Sequence, residues 1–196
     1  MLQNLGGFKM KTMIFTSSPN ENGLTATCGK YAKVGSIEGN SDAIIIDLNK
    51  VNINHCQSCG NGWGQCLNMH RCIIEDEFQV IHKQMEEVDN FVFITPVYWG
   101  EMSESMKNFI DRIRRCEAWK KEKSIFNGKP IICVAAAGGS GNGLISCLAS
   151  MERFVMHVSG EKFDFITITR KTREFKLETI KNSCRAMVLS IGNKSK

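Results

Sequence analysis

Four cysteines in one short segment are the residues of this chain best suited to metal or redox chemistry. Cys56, Cys59, Cys66 and Cys72 lie within residues 56–72, and glycines separate several of them. Four thiolates on a flexible loop are a competent ligand set for tetrahedral zinc or a four-iron cluster, because both need deprotonated sulfur from several directions. Free or reversibly oxidised thiols are the third alternative, and the spacing leaves all three open.

A second set of residues suits a flat, partly apolar ligand. Pro96, Val97, Tyr98, Trp99 and Gly100 stand between an apolar run and an amphipathic stretch. Proline has no N–H to donate to a ladder, so a strand is predicted to end before it. A helix is predicted to follow, with Ser103 as its N-cap. Two aromatic residues and a glycine at such a junction indicate a ligand platform.

Two further segments could approach a ligand with their backbone. Residues 17–25 form a turn rich in hydroxyl and amide groups before a predicted helix, where N–H groups can hold a phosphate. The segment lacks Gly-x-Gly-x-x-Gly and the Walker lysine signature, which argues against a classical dinucleotide fold and a P-loop NTPase. An ordinary capped turn is the alternative. Residues 137–141, Ala-Gly-Gly-Ser-Gly, let backbone come close to a ligand, or form a flexible connector.

The elements that position these segments follow from the apolar pattern. Strands are predicted at 11–16, 42–48, 90–95, 130–136 and 162–169, and helices at 23–35, 76–88, 103–117, 143–158 and 174–190. Strands that alternate with helices predict an α/β fold, a parallel sheet covered on both faces as a three-layer sandwich. Ligands of such sheets bind beyond the carboxyl ends of the strands, where all the segments above would lie.

Size and composition restrict the classes of protein. We expect one domain over residues 10–192, with residues 1–9 as an N-terminal extension. No run reaches the length of a membrane span and the start does not resemble a signal peptide, which predicts a cytoplasmic protein that does not bind membranes. The net charge of +5 without a basic block argues against nucleic-acid binding. Five dispersed cysteines are predicted to be buried and inert: Cys28, Cys116, Cys133, Cys147 and Cys184.

In combination, these motifs resemble the NADPH-dependent FMN reductase family of flavodoxin-like proteins. The resemblance rests on Ser-Ser-Pro after the first strand, Pro-Val-Tyr-Trp-Gly after the third with Lys-Asn-Phe-Ile-Asp-Arg in the next helix, and the glycine-rich fourth loop. It implies a five-stranded parallel sheet in the order 2-1-3-4-5. It also implies that FMN phosphate is surrounded by Ser18, Asn22, Gly23, Leu24 and Thr25, with Ser17 nearby. The isoalloxazine ring would contact Pro96, Val97, Tyr98, Trp99 and Gly100 on one side and Ala137, Gly138, Gly139, Ser140 and Gly141 on another.

The resemblance implies an oxidoreductase that passes electrons from NADH or NADPH through FMN to a quinone, nitro compound, flavin, metal ion or redox protein. Cofactor chemistry of this kind needs orientation more than acid or base catalysis. Asp76, Glu101 and Asp111 are accordingly interpreted as helix-start or surface charges. Relatives of this kind are commonly homodimers or homotetramers.

The cysteine segment also resembles that of the iron-sulfur flavoproteins, whose cysteine motif stands at the same place in the chain. Their first three cysteines are more tightly grouped than Cys59 and Cys66 are here. The alternative function is an electron carrier that holds FMN and a 4Fe-4S cluster bound by the loop, and a zinc-stabilised flavin or nucleotide sensor ranks third. His55 and His70 are interpreted as surface residues. Trp63 is predicted to pack over the flavin or at a subunit interface.

Overall fold

The computed structural model describes residues 9–194, which are built around a parallel sheet. The strands are β1 (Met10–Thr16), β2 (Ser41–Asp47), β3 (Asn90–Tyr98), β4 (Glu101–Met102), β5 (Pro130–Ala137) and β6 (Glu161–Thr169). All but β4 pair in parallel in the order β2-β1-β3-β5-β6. Once the short antiparallel β4 is set aside, this is the predicted 2-1-3-4-5 order.

Helices cover both faces of the sheet. They are α1 (Leu24–Glu38), α2 (Gln65–Asn68), α3 (Glu77–Gln84), α4 (Glu104–Glu117), α5 (Leu144–His157) and α6 (Arg173–Lys194), with 3-10 turns at Met85–Glu87 and Ala118–Lys123. Residues of α1 and α6 share one core with the sheet, and residues of α3, α4 and α5 share the other. The predicted α/β three-layer sandwich is confirmed.

The central strand shows why the apolar pattern does not alternate. Phe91 and Phe93 belong to the core under α3, α4 and α5, whereas Val92 and Ile94 belong to the core under α1 and α6. All four side chains are fully buried. Successive side chains of a strand point to opposite faces, so a strand covered on both sides is apolar throughout.

The predicted end of β3 before Pro96 is wrong, because the strand continues to Tyr98. The pairing of β3 with β1 ends at Ile94, while its pairing with β5 continues to Pro96. Beyond Ile94 the strand therefore needs ladder partners on one side only, and a strand tolerates proline under that condition.

The five dispersed cysteines are fully buried, as predicted. Burial raises the pKa of the thiols of Cys28, Cys147 and Cys184 to about 12, which keeps them protonated and unreactive.

The predicted single domain over residues 10–192 stays a prediction. Of the predicted extension, residues 1–8 lie outside the described residues, and Lys9 forms an ion pair with Asp42 at 2.5 Å. Within residues 9–194, no helix has the length and apolar character that a membrane crossing requires.

Candidate functional site

The loops that follow β1 and β3 are joined by a buried hydroxyl network at the carboxyl edge of the sheet. The Oγ of Ser103 donates to the Oγ of Ser17 at 2.8 Å, and the backbone N–H of Ser103 donates to the Oγ1 of Thr95 at 3.0 Å. The Ser17 hydroxyl also donates to the carbonyl of Ile94. All three hydroxyl residues are buried. Ser17 therefore fixes the first loop against the third strand, and Ser103 is also the N-cap of α4, as predicted.

The first loop ends at an uncapped helix N-terminus. Gly23 is the N-cap of α1, no side chain caps it, and no acidic residue stands in the first turn. The hydrogen bonds of the helix begin at Thr27, whose N–H donates to the carbonyl of Gly23. Glu21, the acid of this loop, forms an ion pair with Lys50. The Gly23 N–H already donates to the carbonyl of Asn20, so the N–H groups of Leu24, Thr25 and Ala26 are those that an anion could engage, and the positive helix end favours one.

The third loop is a two-residue hairpin turn rather than a direct passage from strand to helix. Tyr98 and Glu101 pair across β3 and β4, with Trp99 at φ 50° and Gly100 at φ 82° between them. Positive φ at both central positions is characteristic of a type I′ turn. A bulky residue at positive φ is conformationally strained, and strained residues concentrate at functional sites. The Trp99 side chain is fully exposed, and that of Tyr98 is half-exposed.

The glycine-rich loop between β5 and α5 contacts this turn backbone to backbone. A Cβ on Gly143, at φ 79°, would lie 2.4 Å from the Cα of Gly100, so only glycine fits. The Oγ of Ser146 donates to the carbonyl of Gly100 at 2.8 Å and holds the turn against the start of α5. In the same loop Gly138, Gly139 and Ser140 are exposed, Ala137 is buried and Gly141 has φ 77°. The predicted ring-binding segments are therefore neighbours.

These three loops fit a ligand that carries a phosphate and a flat ring system. The helix N-terminus offers anion-binding N–H groups, and the turn offers Trp99 and Tyr98 beside a glycine-rich backbone. Thr95, Gly143 and Ser146 are site residues that the sequence did not single out, and Ser103 was predicted only as a helix cap. Of these, Gly143 had a signal, since it is the last glycine before an amphipathic helix. Thr95 and Ser146 are polar residues whose partners, Ser103 and Gly100, belong to other segments of the site.

One buried arginine fixes the base of residues 56–72, the segment with the four clustered cysteines, which we call the cysteine loop. Arg112 of α4 donates from Nη1 to the carbonyl of Asn54 at 3.0 Å and to the Oδ2 of Asp76 at 2.6 Å, and from Nη2 to the carbonyl of Ile74 at 3.2 Å. Asn54 precedes the first loop cysteine and Ile74 follows the last one, so Arg112 holds both ends together.

Asp76 serves two roles at this base. Its carboxylate caps α3 by accepting from the N–H of Phe78, which confirms it as a helix-start charge, and it pairs with Arg112. Burial alone would raise the pKa of this carboxyl, but hydrogen bonds from Arg112, Asn54 and Phe78 outweigh that effect and lower the pKa.

The four loop cysteines line one pocket, which we call the thiol pocket. Its wall is completed by residues of α4, so that its lining includes Cys56, Cys59, Cys66, Cys72, Arg112, Arg115 and Cys116. Cys116 is thus a fifth thiol of this pocket, although the sequence placed it among the dispersed cysteines. Burial, with smaller contributions from Cys72 and Cys66, raises the pKa of Cys116 to about 12. All nine cysteines of the chain are free thiols in the structure.

The donor chemistry of the thiol pocket fits a thiolate-bound metal group. Five cysteines and two arginines line it without an acidic residue, and the Nε of the buried Arg112 has no hydrogen-bond partner among the described residues. Across residues 9–194, however, no three His, Cys, Asp or Glu side chains stand close enough to hold a metal ion as placed. Positive φ values of 54° at Gly60 and 105° at Gly62 give the loop a backbone that only glycine adopts readily.

The remaining predicted residues of this loop lie around the pocket. His55 is exposed, as predicted, whereas His70 is half-buried and lines a neighbouring groove. Trp63 packs edge to face against Trp119 at 5.9 Å, with the Arg115 guanidinium 4.8 Å from its ring. The predicted contact of Trp63 with a flavin or a second subunit stays a prediction.

The chain matches the family described as NADPH-dependent FMN reductase over residues 10–163. It is 30% identical over 105 residues to an iron-sulfur flavoprotein of Methanocaldococcus jannaschii, which covers 54% of this chain and 52% of that protein. An iron-sulfur flavoprotein of Methanosarcina thermophila is 26% identical over 88 residues, 45% of this chain and 42% of that protein. The chain spans about half the length of these curated relatives.

Solved structures confirm the flavodoxin-like fold. The NAD(P)H:quinone oxidoreductase from Methanothermobacter marburgensis superposes with a TM-score of 0.73 at 14% identity, covering 92% of this chain and 96% of that one. A flavodoxin, WrbA-like protein from Agrobacterium tumefaciens superposes with a TM-score of 0.66 at 13% identity, covering 96% and 100%.

Proposed function

The chain belongs to the NADPH-dependent FMN reductase family, and we propose from this premise that it is an FMN-dependent oxidoreductase. Electrons would come from NADH or NADPH and leave to a quinone, nitro compound, flavin, metal ion or redox protein. The observation that supports the proposal is the convergence of three loops, in which Ser17 contacts Ser103 and Gly100 contacts Gly143. A carboxylate pair or triad is not needed, because bound FMN accepts and donates the electrons.

The chain's own residues would bind and orient the flavin. N–H groups at the start of α1, with Ser18, Asn22 and Thr25 around them, would hold the phosphate. Pro96, Val97, Tyr98, Trp99 and Gly100 would contact the ring, and residues 137–141 would cover its other edge. Backbone N–H groups of the turn are held rigidly by the Ser146 contact, so they can oppose negative charge without reorganising.

A charge placed at the α1 N-terminus tests the phosphate assignment. Gly23 has φ −76°, and an added Cβ would meet chiefly the side chain of Asn20, so side chains are tolerated there after a small shift. Gly23→Asp should cap α1 while repelling phosphate, and Gly23→Asn should cap it without charge. We expect FMN affinity, measured by fluorescence quenching, to fall at least tenfold more in the Asp variant, about 1.4 kcal/mol. Wild-type protein that takes up no FMN would refute the proposal.

Turnover identifies donor and acceptor. We expect the FMN-loaded protein to oxidise NADH or NADPH steadily when a quinone or nitro compound is present. Parallel assays with the two nucleotides define the donor. Steady oxidation would support a reductase, and FMN binding without turnover would favour an electron carrier.

A second candidate function is that of an electron carrier with FMN and a 4Fe-4S cluster. The thiol pocket favours it, because Cys56, Cys59, Cys66 and Cys72 line one space with two arginines, and the curated relatives named above are iron-sulfur flavoproteins. These four cysteines would be the ligands, and the cluster would exchange single electrons. Anaerobically reconstituted protein should then contain iron and acid-labile sulfide. Zinc without sulfide would instead support a structural zinc site.

We also propose that the chain forms homodimers or homotetramers in the cytoplasm. Trp99, Trp119, Ile145 and Met156 are large apolar side chains that are at least half-exposed. Contact with a second copy would bury them, and free thiols suit a reducing compartment. Light scattering after size-exclusion chromatography tests the oligomeric state.

A further inference from the structure

Arg112 contains a buried donor that the protein does not use. Its side chain is fully buried, and its Nε–H has no hydrogen-bond acceptor among the described residues. Leaving a buried N–H of a charged group unpaired costs free energy, and such groups in native proteins call for an explanation. A ligand in the space that Arg112 lines would supply one.

The other contacts of Arg112 fix the position of that donor. Nη1 and Nη2 are engaged by Asn54, Asp76 and Ile74, and the guanidinium lies 4.2 Å from the centre of the Phe78 ring. The guanidinium is a planar fork, so the placement of its outer nitrogens also sets the position of Nε. Arg112 therefore cannot turn elsewhere without releasing both ends of the cysteine loop.

The space beside Arg112 is the thiol pocket. The pocket contains the four loop thiols, Cys116 one turn after Arg112 on α4, and no carboxylate. Any group held by these thiols would present sulfur atoms, which accept hydrogen bonds from N–H donors. Hydrogen bonds to cluster sulfur and nearby positive charge raise the reduction potential of an iron–sulfur cluster.

We propose that Arg112 donates its Nε–H to a sulfur atom of the cluster in the thiol pocket and so raises the reduction potential of that cluster. This inference rests on the cluster proposed as the second candidate function. Arg112 is a positioning residue in this proposal: it joins the loop ends with its outer nitrogens and favours the reduced cluster with Nε.

The experiment compares reconstituted full-length wild-type protein with Arg112→Lys and Arg114→Lys. Lysine keeps a positive charge near Asp76 but removes the Nε–H at its fixed position. Arg114 is on the same helix and does not line the thiol pocket, which makes the second variant a matched control. Each protein is analysed for iron and sulfide and titrated with dithionite, which dissociates to a one-electron reductant, while cluster absorbance and potential are recorded.

We expect Arg112→Lys to disfavour cluster reduction about tenfold, which is about 59 mV more negative for one electron, while Arg114→Lys matches the wild type. Equal potentials in all three proteins would overturn the role of Arg112 and leave the cluster standing. Wild-type protein without iron and sulfide would overturn the cluster itself, and the inference with it.

A measurement on the wild type covers the case in which Arg112→Lys does not fold or lacks a cluster. In wild-type protein labelled with ¹⁵N-arginine, the Nε–H signal of Arg112, assigned by connectivity, should broaden strongly when the cluster is formed. Proximity to a paramagnetic cluster produces that broadening. An Arg112 Nε–H signal that remains sharp would refute the contact, whatever happens to the signal of Arg115, which lines the same pocket.

Discussion

At the scale of single residues, Trp99 combines an exposed aromatic side chain with a strained backbone. Its φ of 50° suits glycine, and its side chain buries no surface. Trp99→Gly should therefore change the free energy of unfolding by less than about 1 kcal/mol, because relief of strain offsets the greater freedom of the unfolded chain. The same substitution should weaken FMN binding about tenfold through the loss of a ring contact.

Urea unfolding and fluorescence titration measure the two effects of Trp99→Gly. Trp119→Gly is the control, since Trp119 is also exposed but packs against Trp63 instead of the turn. Unchanged FMN affinity in Trp99→Gly would remove this residue from the site.

Glu117 gives a pH-dependent prediction at the same scale. Its carboxylate is fully buried and accepts from His82 Nε2 at 2.7 Å, Lys120 Nζ at 2.7 Å and the Ile125 N–H at 2.9 Å. Burial alone would raise its pKa, but these hydrogen bonds outweigh burial and lower the pKa from 4.5 to about 2. A carboxyl with a lowered folded-state pKa stabilises the protein above its unfolded pKa and loses that contribution as pH falls.

The stability of the wild type should thus fall as pH decreases from 4.5 towards about 2, in part because Glu117 takes up a proton. Glu117→Gln should cost about 2 kcal/mol at neutral pH and should show a flatter pH dependence in that window. Urea unfolding at several pH values tests this. Parallel curves for the two proteins would contradict the assignment to Glu117.

At the scale of elements, the site depends on the close approach of a hairpin turn and a helix start. Gly143→Ala should destabilise the protein by about 3 kcal/mol, since alanine is strained at φ 79° and its Cβ would collide with Gly100. FMN affinity should fall with it. Gly139→Ala is the matched control in the same loop, because nothing lies within 4 Å of its added Cβ. A cost below about 0.5 kcal/mol for both variants in urea unfolding would contradict the close approach.

The elements themselves were largely predictable, and the reasons are local. The strands are buried on both faces, so their residues read as continuous apolar runs, and α4 shows its buried face as Met106, Phe109, Ile110 and Ile113. The hairpin of β3 and β4 was missed because two residues of strand leave no periodic signal. Proline was a misleading marker, since its effect depends on whether a neighbouring strand is present.

The site was predictable only as a set of segments. Sequence position indicated the three loops, because parallel strands bring their carboxyl ends together. The contacts of Gly100 with Gly143, and of Arg112 with both ends of the cysteine loop, join residues far apart in the chain. No local pattern encodes such pairs, and for the same reason Cys116 was assigned to the core rather than to the thiol pocket.

At the scale of the whole molecule, FMN should stabilise the folded protein, because its proposed site is built from three separate parts of the chain. A ligand held by α1, by the turn after β3 and by the loop before α5 binds the folded state alone, so it stabilises that state by mass action. At a free FMN concentration of 100 times Kd, the gain is about 2.7 kcal/mol. For a chain of this size, differential scanning fluorimetry should record a rise in Tm of about 5–10 °C.

Riboflavin separates the phosphate from the ring in this measurement, because it contains the same ring without the phosphate. The uncapped α1 N-terminus and the net charge of +5 both favour a phosphate. Riboflavin at the same concentration should therefore raise the Tm by clearly less than FMN, and Gly23→Asp should bring the two shifts close together. Equal shifts in the wild type would mean that the phosphate lies away from α1, and the ring contacts at Trp99 would then have to supply the affinity.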